Sequence, residues 1–256
     1  MQYRITYACV SHPGKVRKTN QDNFICAGQY MPLDAKTAQT PLHGSCLSTD
    51  NLVFGVFDGM GGEQCGEVAA HIAAQRAASL PVQKDGIETL RAFCQEANQA
   101  IVDFASENDI FSTGSTAAML LFTPKKIFLC NIGDSKIFRL RSGNLEQIST
   151  DHLGLAPFGV KPPLSQSLGI SPDEMTIDPY CLKLGYTPED IYLICSDGLT
   201  DMVTTAEIQQ FLSHTPIDSA AEQLLALALE KGGKDNTTVL LCKIGKVSRW
   251  PFLRKN

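Results

Sequence analysis

No run of about 18 apolar residues occurs in the 256-residue sequence, so no membrane-spanning helix is expected. The first residues, "MQYRITYACVSHPG", lack a charged segment followed by a long apolar stretch, so no signal peptide is expected either. There is no CxxC pair. The nine cysteines are odd in number, and Cys9, Cys26, Cys94, Cys130, Cys181, Cys195 and Cys242 lie inside apolar strand or helix patterns. Buried thiols in a reducing cytoplasm fit this better than a disulfide framework. Basic residues number 22 against 27 acidic, for a net charge of −5, and no basic stripe is present, which argues against a nucleic-acid partner. The five histidines form no pair at ligand spacing, which argues against zinc. No internal repeat, charge run or Pro/Ser-rich linker divides the chain. One domain over residues 1–246 with a short tail, 247–256, is expected.

What is present is a set of apolar strands in runs, broken by two pairs of helices. Residues 2–10, 23–30 and 52–57 read as strands, and 31–50 as a polar loop. Helical spacing of apolar residues predicts helices over about 63–79 and 86–108. "STAAMLLF", "KKIFLCNI" and "KIFRLRSG" then read as three short strands, with "LEQIS" as a fourth. The Gly- and Pro-rich segment 151–174 reads as a surface loop. "MTIDPYCLKL" and "DIYLICS" are strands, "TAEIQQFLSH" and "IDSAAEQLLALALEKG" helices, and "NTTVLLCKI" a closing strand. This order is α+β, not alternating βαβ. The strands are apolar on both faces. Two mostly antiparallel sheets packed on each other, with helix pairs outside, would bury all of those faces: a four-layer αββα sandwich.

The stretch "LVFGVFDGMGG" ends an apolar strand on Asp58 and then loses its side chains. "DIYLICSDG" repeats the design with Asp197 and Gly198. Asp134 in "IFLCNIGDS", Asp235 in "GGKDNTTVLL" and Asp22 in "TNQDNFI" also stand at strand ends, and Asp201 follows Asp197 by four residues. Taken singly, Asp134 and Asp235 read as turn residues and Asp197 as a helix cap. Together, acids at strand edges can converge at one end of a sandwich. There they would repel one another unless a cation lay between them. Oxygen-only donors suit Mg²⁺, Mn²⁺ or Ca²⁺. Without these six aspartates the net charge would be about +1, so the acidic balance can be attributed to one such site.

In chain order, "GKVRKTNQDNF", "VFGVFDGMGG", "GSTAAMLLF", "LCNIGDSKIFRLRSG", "STDH", "LICSDGLTDMV" and "KDNTTVLLC" resemble the motifs of the metal-dependent serine/threonine protein phosphatases of type 2C, in their compact bacterial form. The resemblance runs from about residue 11 to 244. It implies a β-sandwich between helix pairs and two ions, Mn²⁺ or Mg²⁺, bridged by Asp58. The Gly59 carbonyl would join one ion, and Asp197 and Asp235 would hold the other. It also implies that Asp22 stands behind the ions and receives water bound there, that Asn236 orients Asp235, and that Asp134 and Asp201 form a weaker third-ion site. Arg17 matches the arginine that grips substrate phosphate, a task its forked guanidinium suits. The implied reaction is attack of an ion-activated water on phosphoserine or phosphothreonine, with no cysteine nucleophile.

Two departures stand out. Met60 replaces a histidine that many eukaryotic members carry, which leaves the proton donor unassigned. His152 is a substitute candidate whose plainer role is to anchor a loop. The segment from Asp151 to Gly169 is shorter than the usual flap, which implies a more open site. A non-catalytic phosphoprotein-binding regulator and a metal-dependent nucleotide phosphohydrolase are the rival readings. Phosphoprotein substrates, a cognate serine/threonine kinase, a monomeric state and a cytoplasmic location are expected from the resemblance. In the tail "VSRWPFLRKN", Trp250, Phe252 and Leu253 read as docking on their own domain or on a partner.

Overall fold

A strand that is apolar on both faces needs a packing partner on each, and that requirement sets the architecture. The computed structural model describes residues 2–33, 41–48, 51–60, 65–82 and 85–247. The chain begins with strands β1 (Tyr3–His12), β2 (Asp22–Cys26), β3 (Leu42–Leu47) and β4 (Leu52–Met60), followed by helices α1 (Gly66–Ala78) and α2 (Gly86–Glu107). Then come β5 (Gly114–Ser115), β6 (Ala117–Phe122), β7 (Ile127–Ile132), β8 (Lys136–Arg141), β9 (Asn144–Gln147), β10 (Tyr180–Leu184) and β11 (Ile191–Cys195). Helices α3 (Asp197–Thr200), α4 (Thr205–His214) and α5 (Ile217–Glu230) precede the last strand, β12 (Thr237–Lys246).

One sheet has the order β3-β1-β12-β11-β8-β9, the other β10-β7-β6-β4-β2, with β5 paired to β4. Every strand pairing is antiparallel. Alternation within each strand sorts residues into layers. On β6, Ala118, Leu120 and Phe122 face the other sheet, where they join Tyr192 and Ile194 of β11 and Leu240 and Cys242 of β12. The other face of β6, with Ala117, Met119 and Leu121, packs on Ala69, Ala70, Ala73 and Ala74 of α1 and on Leu90, Phe93 and Ala97 of α2. Leu193 of β11 and Leu241 of β12 likewise turn outward onto Ile208 and Leu212 of α4 and Ala220, Ala221 and Leu224 of α5. Three apolar layers thus separate four structural ones, as the strand composition implies. Burial of this apolar surface, at roughly 25 cal/mol per Å², is the main stabilising term. The small alanine face of α1 lets that helix lie close to its sheet.

Helix ends follow local chemistry. Asp85 caps α2 by accepting the Ile87 N–H at 2.9 Å. Thr204 and Glu207 form a capping box on α4. Three sequence expectations shift. The strand over "MTIDPYCLKL" begins only at Tyr180. The strand over 23–30 stops at Cys26, because Ala27 and Gly28 adopt φ of 49° and 83° and close a two-residue turn, with Gln29 and Cys26 exchanging backbone hydrogen bonds. The loop over 31–50 contains β3, a polar edge strand whose residues are only partly covered. Only Leu42 and Cys46 turn apolar side chains inward there, too weak a period-2 signal to read.

No disulfide joins any of the nine cysteines. Among the described residues, no helix is long and apolar enough to cross a membrane. The tail residues Trp250, Phe252 and Leu253 lie outside the described residues.

Candidate metal centre and active site

Asp58 does not end its strand, since β4 runs on to Met60, and Asp197 is the first residue of α3, but the glycine after each has the same physical role. A Cβ on Gly59 would lie 2.1 Å from the Gly66 carbonyl oxygen and 2.5 Å from that of Gln21. A Cβ on Gly198 would lie 2.0 Å from the Asn236 carbonyl oxygen. Each glycine therefore lets a second chain segment press against the strand end. At Gly198 that segment is the start of β12, so the close approach brings Asp197 up beside Asp235. At Gly59 the segments are the first turn of α1 and the residue before β2, so Asp58 comes beside Asp22. The two are direct neighbours in the β2–β4 register.

The result is a cleft of about 250 Å³ at one end of the sandwich. Arg17, Asp58, Gly59, Asp134, Asp197, Asp235 and Asn236 line it, with Gln21, Met60, Lys161, Pro162 and Leu164. Its acids come from both sheets: Asp58 from β4 in one, Asp197 and Asp235 from the ends of β11 and β12 in the other, and Asp134 from the β7–β8 turn that passes between them. Asp22 lies behind the cleft wall, buried at 2% exposure. Asp201, at the end of α3, stands at the outer rim with its side chain half exposed. His152 is not among the cleft-lining residues. Its backbone is tied to Gly133 and Ser165, so it anchors a loop.

Each acid is held in place. The Asp58 N–H donates to the Thr116 hydroxyl at 3.0 Å, and the Thr116 N–H donates back to the Asp58 carbonyl at 2.9 Å. Asp22 Oδ2 accepts the hydroxyls of Ser196 at 2.7 Å and Thr238 at 2.6 Å, which bonds one sheet to the other. Its Oδ1 is buried without a partner. Asp235 accepts its neighbour's backbone N–H, from Asn236, at 2.8 Å. The Asn236 side chain does something else: it accepts the Gln21 N–H at 2.8 Å and donates to the carbonyls of Pro13 and Thr19 at 2.9 and 2.8 Å. It ties down the loop that carries Arg17, and does not touch the Asp235 carboxylate.

The electrostatics are strained in one direction. Burial pushes the Asp58 carboxyl well above the usual carboxylate range, and the charges of Asp22, Asp197, Asp134 and Asp235 push it further. Burial raises Asp22 to about 7. Hydrogen bonds from Thr238 and Ser196 oppose the rise, and Asp197 and Asp235 add to it. Asp134 is raised chiefly by burial and then by Asp197. Side-chain cations offset part of this repulsion. Arg17 pairs with Asp235 at 2.7 Å, and Lys161 donates to Asp197 and stands 3.4 Å from Asp201. Burial tends to lower the Lys161 ammonium, but the Asp197 hydrogen bond and the surrounding acids outweigh it and hold the charge on. Among the described residues, no group of three or more Asp, Glu, His or Cys side chains stands close enough together to hold a metal ion.

Sequence reasoning missed Lys161, Thr116, Ser196 and Thr238. The last three stand within a residue or two of a strand-end acid or its strand neighbour, and small hydroxyls in those positions are the signal that was available. Lys161 carries no such signal. It comes from the Gly- and Pro-rich segment between Asp151 and Gly169, which places a charge in the cleft.

A serine/threonine phosphatase, stp, from Listeria welshimeri is 32% identical over 209 residues, covering 73% of this chain and 82% of that protein. The model of protein phosphatase 2C matches residues 41–158. The chain belongs to the protein phosphatase 2C family. Another family relative, the serine/threonine protein phosphatase PstP of Mycobacterium tuberculosis, is 28% identical over 94% of this chain, and the chain spans 45% of its length. The crystal structure of the PstP catalytic domain with two manganese ions superposes with a TM-score of 0.77 at 26% identity, over 96% of this chain and all of that one. The αββα sandwich is thus the protein phosphatase 2C fold.

Proposed function

We propose that this chain is a divalent-metal-dependent protein phosphatase that removes phosphate from phosphoserine and phosphothreonine, with residues 1–246 as one catalytic unit. The observation that carries the reading is the gathering of Asp58, Asp197 and Asp235 with Arg17 around one cleft. The residues fit a pair of hard cations. The donors are all oxygen, the buried acids repel one another, and Asp22 Oδ1 is buried without a partner. Asp58 and the Gly59 carbonyl, with Asp197 and Asp235, would hold Mn²⁺ or Mg²⁺, in keeping with the two manganese ions of the PstP structure. When bound, such ions make water acidic enough to act as a nucleophile near neutral pH and neutralise phosphoryl charge.

The chain's own residues supply the rest. Thr116 fixes the backbone of Asp58, and Asp22 offers an acceptor to a water behind the site. Arg17 exchanges its pairing with Asp235 for two phosphate oxygens, holding the group where charge must be stabilised in the transition state. Met60 has no proton to give and His152 is not among the cleft-lining residues, so neither is assigned as proton donor to the departing serine or threonine oxygen. A partner kinase that installs these phosphates fits the names of the relatives.

The test is phosphate release from a mixed phosphoserine and phosphothreonine peptide pool with Mn²⁺, with and without EDTA. Asp58→Asn should lower turnover by about 10³-fold or more, the scale expected when a principal electrostatic stabiliser is lost. A wild-type chain that binds Mn²⁺ yet releases no phosphate would favour the binding-module reading, and preference for nucleotides would favour the nucleotide hydrolase.

A further inference from the structure

Lys161 is presented to the acids by a pinned loop. Its two arms are held together by the Leu153–Leu164 bridge, by the Gly154 N–H on the Pro163 carbonyl at 2.8 Å, and by the Ser165 N–H on the His152 carbonyl at 3.0 Å. Between the arms the chain turns at Pro157–Val160, with Gly159 at a φ of 82°. Pro162 follows Lys161 and restricts its backbone to extended conformations. Beyond the arms, Leu168 is fully buried and exchanges backbone hydrogen bonds with Ser115, and the Asn98 side chain binds Gly169 and Ile170. The Lys161 side chain then crosses to Asp197 and Asp201, two acids from the opposite wall, with Asp134 near enough for its charge to be felt. It takes Oδ2 of Asp197, leaving Oδ1 available.

We infer that Lys161 is a tethered cation that occupies the outer acidic position formed by Asp134, Asp197 and Asp201, and so keeps a third divalent ion out while the inner pair binds. This rests on the two-ion reading above. The charge logic is direct. An ammonium already present on Asp197 and Asp201 contributes one positive charge and three N–H donors where a divalent ion would otherwise be drawn. A divalent ion entering the same position would have to displace a cation whose tether keeps it at high effective concentration. Lys161 is therefore a positioning residue. It neutralises the outer acids without bringing coordinated water, and it confines the ion chemistry to Asp58, Asp197 and Asp235. Of the acids expected to hold a third ion, Asp201 binds the Lys161 ammonium and Asp134 is reached by its charge alone.

The experiment counts ions. Equilibrium dialysis of the full chain against Mn²⁺, with metal analysis of the protein compartment, should give two ions for wild type and for Lys161→Arg. Lys161→Met should bind a third, at least about tenfold tighter than wild type does. The double variant Lys161→Met/Asp201→Asn should return to two. Lys161→Ala provides a second neutral variant if the methionine disturbs the loop. A third ion in wild type that vanishes in Asp201→Asn would overturn the inference while leaving the two-ion reading intact, as would two ions in both neutral variants. Wild-type protein that binds no Mn²⁺ would remove both.

Discussion

Asp22→Asn isolates what the buried charge behind the cleft costs. In the folded chain burial raises Asp22 to about 7, against 3.8 for an ordinary aspartate. The native state therefore binds this proton more tightly than the unfolded state does. Stability is fully present below about pH 4, falls as pH rises toward 7, and levels off above that. Across about three pH units at 1.36 kcal/mol each, the deprotonated carboxylate costs the metal-free protein up to about 4 kcal/mol. Asparagine has no such titration. It keeps an oxygen for the hydroxyls of Ser196 and Thr238 but puts an amide N–H where Oδ1 has no partner, a loss of about 1–3 kcal/mol. At pH 8, EDTA-treated Asp22→Asn should therefore be more stable than wild type by about 1–3 kcal/mol, a rise of a few degrees in Tm. By pH 4 the order should reverse, because wild type is then neutral and leaves one group at Oδ1 unpaired, where asparagine buries an amide with two N–H donors. Added Mn²⁺ should restore wild type at pH 8, since a ligand that binds only the native state stabilises it. Urea or thermal unfolding from pH 4 to 8 measures all of this. Parallel pH profiles for the two proteins would refute the reasoning.

Two further substitutions separate binding from folding. Arg17→Ala should leave Tm nearly unchanged, because its pair with Asp235 is 51% and 32% exposed and such pairs contribute about 0–1 kcal/mol; kcat/KM on phosphopeptides should nonetheless fall by about 10²-fold as the phosphate loses its fork. Gly59→Ala should be lost to folding before activity can be asked of it: its Cβ meets two backbone carbonyls closer than 2.6 Å, and a cost of several kcal/mol should appear as a lowered urea midpoint even in metal-free protein.

The layering was legible because every strand of "AAMLLF" or "IYLIC" type declares two apolar faces, and only a sandwich covered by helices satisfies both. The acids were legible as a set, through their recurrence at strand ends; singly, Asp134 and Asp235 read as turn residues and Asp197 as a cap, and of the set only Asp58 and Asp197 stand ahead of a glycine. That they could converge at one end of a sandwich was legible too; the strand order that carries them there was not, because β4 lies in one sheet while β11 and β12 lie in the other, an arrangement no local pattern encodes. For Gly59 the resemblance implied a backbone carbonyl on an ion. The structure adds another cause, backbone pressed on backbone at Gly66 and Asn236. Asn236 was assigned to Asp235, which its backbone N–H does hold; what was not legible is that its side chain reaches Pro13 and Thr19, more than 200 residues away in sequence. Lys161 was illegible for the plainest reason: a lysine in a Gly/Pro-rich loop is ordinary until its neighbours in space are known.

The bonds from Asp22 to Ser196 and Thr238 stitch the two sheets together at the end of the sandwich where the cleft opens. Since Asp58 rides on one sheet and Asp197 and Asp235 on the other, the cleft works as a caliper whose jaws are the sheets themselves. A change in the central aromatic layer, around Phe54, Phe122 and Tyr192, alters the gap between the jaws without touching a single acid. The spacing of the acids is thus tied to the thickness of the interior between the sheets.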